Sequence, residues 1–520
     1  MSADAVVAPP LRHWPRILIL ALVGILALGA YTQHNTFPFT YHPDEGGKVK
    51  QIVTKKRNFH HPLLTLATTR AALRALQMDK VSKEKIAVAG RTTMAVFSAI
   101  AVVCLTLLAW RWAGWPGAGI AGFLLLADPL VFELAHYFKE DPALLFGLAV
   151  CFLAMDVYWR TPTPGSAAFL GVGCALAMSG KYIGIVALLF VIPVLIGQRK
   201  APGHRRALAF ALGFLGPLLL INFPLLQQFS VFEAGLSREM AGATAGHRGL
   251  GRDVPHLYYI KRLWETCPPG IWPALVVVGI FAVTRLNRLS RTQWMTLLFP
   301  VFFIVLLSFS PKTAGRYLLP VQTFLVFLVG TGLGAILRHA LRVWRTEMAA
   351  DTPNPKIKAR ALAGLCIGIT FTTGTLYSTG TEFLVRWREF AADSRDELRH
   401  WIAENLPANA VIAQDDRINL EADPDWRARK VLSAEFVADL GDFATLRAQG
   451  VTHVAVTTQT YRRFFDESLK PTDAEKADFE RRAAFYRELL DSGKPLRDYP
   501  GGKIIYLRPT MHLFALPPAP

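Results

Sequence analysis

The chain has 520 residues, of which 52% are hydrophobic and 18% are charged, and its mean hydropathy is +0.29. This composition, with its hydrophobic residues gathered in blocks, excludes an ordinary soluble globular protein and is typical of a multi-pass membrane protein. The net charge of +18 does not indicate nucleic-acid binding, because residues 386–520 carry a charge of −2 and the excess lies in the membrane part. Such charge is typical of topology signals and of contact with anionic lipids.

Eleven hydrophobic blocks in residues 1–385 predict a polytopic α-helical membrane domain of about eleven transmembrane helices. The blocks are 14–32, 86–110, 116–132, 142–159, 166–179, 182–197, 207–226, 270–284, 294–310, 317–337 and 361–380. Most of them are close to the roughly 20 residues that cross a hydrocarbon core. Because the block at 166–179 is short, the count carries an error of about one.

The distribution of Lys and Arg predicts the orientation. With a cytoplasmic N-terminus, the inner loops contain seventeen of these cations, whereas the short outer loops 133–141 and 311–316 contain three. Positive charge accumulates on the cytoplasmic side of short loops. An odd number of spans then places the long first loop (33–85) and the C-terminal residues 386–520 outside the cytoplasm.

An acidic pair, Asp44-Glu45, follows the first hydrophobic block. Pro43 suits the first turn of a helix, where the helix dipole stabilises negative charge, so helix capping is one interpretation of the pair. Ionisable groups this close to a bilayer are costly, which also makes the pair a functional hypothesis.

The remainder of the first outer loop, 33–85, is amphipathic. Apolar residues recur at helical spacing within 49–53, and Lys48 belongs to the basic residues of the opposite face. This pattern predicts a helix that lies on the membrane surface. His60 and His61 end the first amphipathic stretch, and a second one follows.

A second acidic pair, Glu140-Asp141, lies directly before Pro142 in a short outer loop. Capping of the next helix explains one carboxylate well and two less well. Two neighbouring carboxylates suit either a divalent cation, which prefers oxygen ligands, or the hydroxyl groups of a sugar. The sequence leaves both interpretations open, and this cation is the one cofactor that it suggests.

Cations occur at two further outer boundaries. Lys181-Tyr182 separates two apolar blocks, and Lys312 and Arg316 flank a glycine before the tenth block. Taken alone, each cation is compatible with a side chain that reaches toward lipid headgroups. Taken together, they are able to bind a lipid phosphate.

In this order, the motifs resemble those of membrane glycosyltransferases with the GT-C fold, and specifically the bacterial relatives of protein O-mannosyltransferases and aminoarabinose transferases (glycosyltransferase family 39-like). The matching elements, within residues 14–340, are Asp44-Glu45, His61-Pro62, Glu140-Asp141-Pro142, Lys181-Tyr182 and Arg316-Tyr317-Leu318-Leu319-Pro320. The chain departs from the family's usual His-Pro-Pro, since it has His60-His61-Pro62-Leu63.

The resemblance implies a sugar donor linked to polyprenyl phosphate and a base at Asp44. It also implies a protein of the bacterial inner membrane, with His60 and His61 among the substrate-binding residues. The acceptor implied is an extracytoplasmic lipid, glycan or protein, and membrane lipids are the other partners.

The residue types fit this chemistry independently. A glycosyl phosphate already has a good leaving group, so transfer needs a carboxylate to accept the acceptor's proton and cations to hold the phosphate. Attack guided by a single base inverts the sugar. We predict Asp44 as this base, with Glu45 orienting either the acceptor or Asp44. The predicted substrate-binding residues are His60, His61, Glu140, Asp141, Lys181, Tyr182, Lys312 and Arg316, of which Lys181, Lys312 and Arg316 bind the phosphate.

Residues 386–520 predict a small extracytoplasmic α/β domain. Strands are predicted at 411–413, 453–456 and 503–507, and helices at 397–405 and 473–490. This domain shows no catalytic motif, so we predict an accessory that shapes or recognises the acceptor.

Two other function classes fit a basic multi-pass protein. A transporter or flippase of lipid-linked sugars would place polar groups in mid-membrane and pair its broken helices, whereas the ionisable motifs here collect at the outer boundary. A non-catalytic protein of envelope assembly would leave the acidic motifs without a role. We predict a glycosyltransferase and retain these two as alternatives.

Overall fold

The computed structural model of the chain describes residues 14–36, 42–78, 81–198, 203–246, 250–391, 393–422, 429–492, 495–504 and 506–516. The N-terminal three quarters of the chain consist mainly of helices. They are α1 (Trp14–Thr32), α2 (Glu45–Thr54), α3 (Leu64–Ala75), α4 (Lys83–Leu126), α5 (Pro129–Ala135), α6 (Asp141–Arg160), α7 (Pro164–Gly180), α8 (Ala187–Gly197), α9 (Gly203–Asn222), α10 (Pro224–Gln227), α11 (Phe229–Ala245), α12 (Pro255–Thr266), α13 (Ile271–Val283), α14 (Arg291–Leu307), α15 (Leu319–Met348) and α16 (Pro355–Glu389).

Six helices in the described residues are long and apolar enough to cross a membrane, which makes the chain an integral membrane protein. They are α1, α4, α6, α9, α15 and α16, and α12 with α13 is a seventh candidate if this pair, bent by 104°, is one span. The predicted count of about eleven spans is therefore not confirmed. The difference arises because α7, α8 and α14 are apolar but short, and because α4 contains two predicted blocks.

Helix α4 contains two of the predicted blocks and is kinked between them. This helix has 44 residues, with non-helical backbone angles at Gly114 (φ 72°). A straight helix of that length would measure about 66 Å, roughly twice the hydrocarbon core. Glycine suits the positive φ of such a kink, and a Cβ at this position would lie 3.3 Å from the guanidinium of Arg338.

Close helix packing positions the start of α6 and the end of α7. A Cβ on Gly180, the last residue of α7, would lie 2.6 Å from the backbone of Ala143 in the first turn of α6. Only glycine permits this approach, because any side chain would collide with backbone atoms. As a result, Lys181, which follows α7, lies beside Asp141, which begins α6.

Residues 394–516 form an α/β unit around a five-stranded sheet. The sheet contains β2 (Ile412–Asp415), β3 (Val431–Ala434), β4 (His453–Thr457), β6 (Arg497–Tyr499) and β7 (Met511–Ala515) in the order β3-β2-β4-β7-β6, with β3, β2 and β4 parallel. The helices are α17 (Ser394–Asn405), α18 (Phe443–Ala448), α19 (Thr458–Tyr461) and α20 (Asp473–Asp491).

The predicted strand at 503–507 is wrong. Its described residues form a bend and a turn, and the edge of the sheet is instead completed by β6 and β7. The backbone amides of Lys503 and Ile504 donate to the carboxylate of Glu389 at 2.9 and 2.7 Å, while Ile504 and Leu507 are buried in the main apolar cluster of the membrane part. We call the described residues 503–504 and 506–507 the docking segment, because they attach the α/β unit to the membrane part.

A second connection joins the same two parts of the chain. Strand β1 (Leu250–Arg252) pairs antiparallel with β5 (Leu469–Pro471) of the α/β unit. The Arg252 guanidinium donates to Asp466 at 2.7 Å and to the hydroxyl of Thr313 at 2.9 Å. The α/β unit is thereby attached to the loop that leads into Arg316.

Candidate functional site

Glu45 lies at the base of the candidate site and is fully buried. Its carboxylate accepts from Arg91 of α4 at 2.8 and 3.2 Å and from the backbone amide of Phe138 at 2.9 Å. Arg91 is also fully buried, so the two charges neutralise each other in the interior. Because both Glu45 oxygens bind protein groups, this residue holds the start of α2 in place and positions Asp44.

Asp44, directly before α2, presents the accessible carboxylate of the pair. Its side chain is 47% exposed, and its Oδ2 accepts a hydrogen bond from the Lys139 ammonium. Its backbone amide donates to Nδ1 of His42 at 3.1 Å. Partial burial would raise the pKa of Asp44, but Lys139, with smaller contributions from His42 and Arg316, holds this pKa well below its usual range.

Lys139, from the corner between α5 and α6, is only 2% exposed although it carries a charge. Burial lowers the pKa of its ammonium to about 8, and the neighbouring Arg316 acts in the same direction. In the sequence, Lys139 was one of the three cations of the short outer loops and part of the polar stretch before Pro142, but it had no predicted role in the site. The sequence did contain one indication that Lys139 belongs to a site: it directly precedes two carboxylates in a short loop.

Glu140 points toward α2. Its Oε1 accepts from the Lys48 ammonium, and its Oε2 lies 3.7 Å from Nε2 of His61. Burial, with the charges of Lys48 and Lys181, holds the pKa of His61 well below its ordinary value, so the imidazole is neutral. Lys48 was predicted on the exposed face of α2, but it is buried. Lys48 follows Asp44 by four residues, a spacing that places both side chains on the same face of a helix.

Asp141 and Arg316 complete the site on its other side. The Lys181 ammonium donates to Oδ1 of Asp141 at 2.7 Å and lies 4.6 Å from the centre of the Tyr317 ring. The Arg316 guanidinium lies 5.1 Å from the same ring. The structure therefore brings Lys181 and Arg316 together, although 135 residue positions separate them in the sequence.

We call these seven side chains the outer charge cluster: Asp44, Lys48, Lys139, Glu140, Asp141, Lys181 and Arg316. They comprise four cations and three carboxylates within electrostatic range of one another. Three buried polar atoms in the cluster have no hydrogen-bond partner among the described residues, namely Arg316 Nε, Glu140 Oε2 and Asp141 Oδ2. Unpaired buried polar atoms are costly and are expected to meet a ligand or water.

The predicted divalent cation fits this cluster poorly. Glu140 and Asp141 each already pair with a lysine, and the four cations outnumber the carboxylates. No group of three or more His, Cys, Asp or Glu side chains is arranged to hold a metal ion in the part of the chain that the structure describes. A cluster with excess positive charge suits an anion, and the free carboxylate oxygens suit hydroxyl groups.

Three predicted site residues lie in a separate group. The Lys312 ammonium donates to Glu239 of α11 at 3.0 Å, and the charges of both residues act on His60. The Tyr182 hydroxyl donates to the backbone oxygen of Phe59 at 3.0 Å. Lys312 therefore has Glu239 of α11 as its partner, and its convergence with Lys181 and Arg316 on one phosphate stays a prediction.

The α/β unit also reaches the candidate site. The ring of Tyr506 lies 4.6 Å from that of His42 and 5.5 Å from that of Tyr137. Burial, followed by the charge of Lys139, lowers the pKa of His42 well below its ordinary value, and Arg417 of the same α/β unit contributes. The sequence offered no signal for Tyr506 and Arg417, because neither belongs to a motif.

The structures of three proteins are among the solved structures similar to this chain. The oligosaccharyltransferase from Archaeoglobus fulgidus, in its apo form, has a TM-score of 0.56 at 10% identity, covering 87% of this chain and 71% of that one. ArnT from Cupriavidus metallidurans, bound to undecaprenyl phosphate, has a TM-score of 0.49 at 14% identity, and the match covers 98% of this chain and 100% of that one. The arabinofuranosyltransferase AftD from Mycobacteria has a TM-score of 0.45 at 13% identity, and the match covers 98% of this chain and 40% of that one.

The likeness to the oligosaccharyltransferase confirms the predicted GT-C membrane fold, and at 10% identity it shows the fold alone. No protein-family model and no curated protein matches the chain.

Proposed function

We propose that the chain is an inverting glycosyltransferase that moves a sugar from a polyprenyl-phosphate-linked donor to an extracytoplasmic lipid, glycan or protein. One observation carries this proposal: in the outer charge cluster, a buried donor on Arg316 and buried acceptors on Glu140 and Asp141 have no hydrogen-bond partner among the described residues. A glycosyl phosphate has the complementary groups, because its phosphate accepts hydrogen bonds and its sugar hydroxyls donate them.

The phosphate end of the donor fits the cationic half of the cluster. Arg316 presents a planar guanidinium to phosphate oxygens, and Lys181 is held beside it by Asp141. These charges stabilise the phosphate as it leaves with the electron pair of the bond to the sugar. The sugar hydroxyls donate to the free oxygens of Glu140 and Asp141, whereas the neutral His61 beside Glu140 lines the same side.

Asp44 is the proposed base. It is the one carboxylate of the cluster with substantial exposure, so an acceptor hydroxyl can approach it. Its oxygen takes the hydroxyl proton while the acceptor oxygen bonds to the anomeric carbon on the face opposite the phosphate, which inverts that carbon. Glu45, paired with Arg91, acts as a positioning residue.

Incubation of the purified protein with radiolabelled polyprenyl-phosphate sugars and a membrane extract tests the proposal. We expect the label to move from the lipid to an acceptor and free polyprenyl phosphate to appear in equal amount. Movement of an intact lipid-linked sugar between leaflets of a proteoliposome without release of polyprenyl phosphate would instead support the flippase alternative.

A further inference from the structure

The ion pair between Asp44 and Lys139 conflicts with the role of Asp44 as a base. A carboxylate that is hydrogen-bonded to an ammonium and held at a low pKa accepts a proton poorly, because catalytic efficiency follows basicity. Both groups belong to the same cluster as the proposed donor site. Either the pair persists and slows transfer, or it opens when the donor binds.

The surroundings of Lys139 favour opening of the pair. This ammonium is buried at 2% exposure and lies close enough to Arg316 for the two charges to repel. Asp44, its partner, is 47% exposed, so solvent weakens the attraction between them. An anion placed between Lys139 and Arg316 would interact with one buried and one partly buried cation, whereas Lys139 now pairs with one half-exposed carboxylate. A lysine ammonium on a flexible stem with three donors can turn from one partner to the other.

We propose that Lys139 is an exchangeable counter-ion, which pairs with Asp44 in the substrate-free protein and turns to the donor phosphate on binding, so that Asp44 becomes a free base only when the donor is in place. This inference rests on the proposed function. Lys139 keeps its proton throughout, and the acceptor proton goes to Asp44. The exchange makes base activation depend on the donor and adds Lys139 to Lys181 and Arg316 around the phosphate.

A double-mutant cycle on the binding of undecaprenyl phosphate to the full-length protein in nanodiscs tests the exchange. Lys139→Gln should weaken binding roughly 10-fold or more, the scale of one charge-assisted hydrogen bond. Asp44→Asn should tighten binding, because it frees Lys139. In the Lys139→Gln background, the same Asp44→Asn change should lose most of this effect.

Two outcomes overturn the exchange. Equal tightening by Asp44→Asn in both backgrounds would mean that Asp44 merely repels the phosphate, and unchanged affinity in Lys139→Gln would mean that Lys139 does not reach it. If Lys139→Gln fails to fold, Lys139→Met, which keeps the buried stem, takes its place. Lys261→Gln, which removes one exposed charge from α12, is the matched control and should bind as wild type does.

The result also separates this inference from the proposed function. A wild-type protein that binds undecaprenyl phosphate and transfers sugar, but gives an additive cycle, rejects the exchange alone. A wild-type protein that neither binds this lipid nor releases it from any labelled donor rejects both.

Discussion

The two adjacent carboxylates Asp44 and Glu45 have different environments. Glu45 is enclosed with Arg91 in the interior, whereas Asp44 is half-exposed beside Lys139. A buried ion pair is costly to break on one side, because the remaining charge loses its partner without gaining water. These environments support the proposal that Glu45 is a structural anchor and Asp44 the group that takes part in the chemistry.

Glu45→Gln should destabilise the protein by about 3–5 kcal/mol, because it leaves the buried Arg91 without an anionic partner. Thermal unfolding of the purified protein in detergent measures this as a lower midpoint. Asp44→Asn serves as the comparison and should stay close to wild type, since its side chain is half-exposed. A Glu45→Gln protein with normal stability and no transfer activity would assign Glu45 a direct chemical role.

The affinity for undecaprenyl phosphate should fall as the pH rises from 7 to 9. Lys139 has a pKa of about 8, so it is charged below this pH and loses its proton above it, which removes one cation from the phosphate. Linkage predicts a loss of about 10-fold by pH 9. The charged groups that face Lys139 are Arg316, Asp44, Asp141 and Lys48, and the titratable rings of His42 and His61 also lie within its electrostatic range. The second phosphate ionisation is complete by pH 7.5, since its pKa is about 6.

Lys139→Arg provides the control for this pH dependence, because a guanidinium keeps its charge throughout the range. Its binding curve should be flat between pH 7.5 and 9. If Lys139→Arg shows the same fall as wild type, a different group titrates, and Lys48, whose pKa is about 7, is the next to examine.

Among the elements of the fold, the docking segment, of which residues 503–504 and 506–507 are described, links the α/β unit to the site. Glu389 at the end of α16 accepts its backbone amides, and the Tyr506 ring packs on His42. His42 in turn accepts from the backbone of Asp44. The docking segment therefore supports the proposed base through two successive contacts, and Tyr506 is a positioning residue.

Tyr506→Ala should lower the turnover of sugar transfer, by up to about 100-fold, since small displacements of a reacting group are costly. Tyr506→Phe should retain most activity, because the contacts to His42 and Tyr137 involve the ring. Both variants should keep wild-type affinity for undecaprenyl phosphate. A strong loss in Tyr506→Phe would show that the hydroxyl itself takes part.

The sequence predicted the helix ends well, because a helix end depends on residues that are adjacent in the chain. Glu140-Asp141 before Pro142 and Lys181 after Gly180 belong to helix ends, where turn residues and charges lie together in the chain. The pairing of Glu45 with Arg91 spans 46 positions, and that of Glu140 with Lys48 spans 92. Such contacts depend on helix packing, so a single sequence could not supply them.

At the scale of the whole molecule, the contact between Tyr506 and His42 requires the α/β unit and the first outer loop to lie on the same side of the membrane. The distribution of Lys and Arg predicts that this side is extracytoplasmic. Reporter fusions after residues 385 and 78 should both give the signal of an extracytoplasmic position. A cytoplasmic signal at either point would require a different number of spans, and opposite signals would contradict the contact itself.

The turnover of a labelled polyprenyl-phosphate sugar tests whether Asp44 is the base of sugar transfer. Asn keeps the shape of Asp but accepts no proton, so Asp44→Asn should reduce turnover about 10²–10⁴-fold. The variant should fold normally and bind undecaprenyl phosphate at least as tightly as wild type. An Asp44→Asn protein that transfers sugar at a near-wild-type rate would contradict the claim and leave Asp141 or Glu140 as the base.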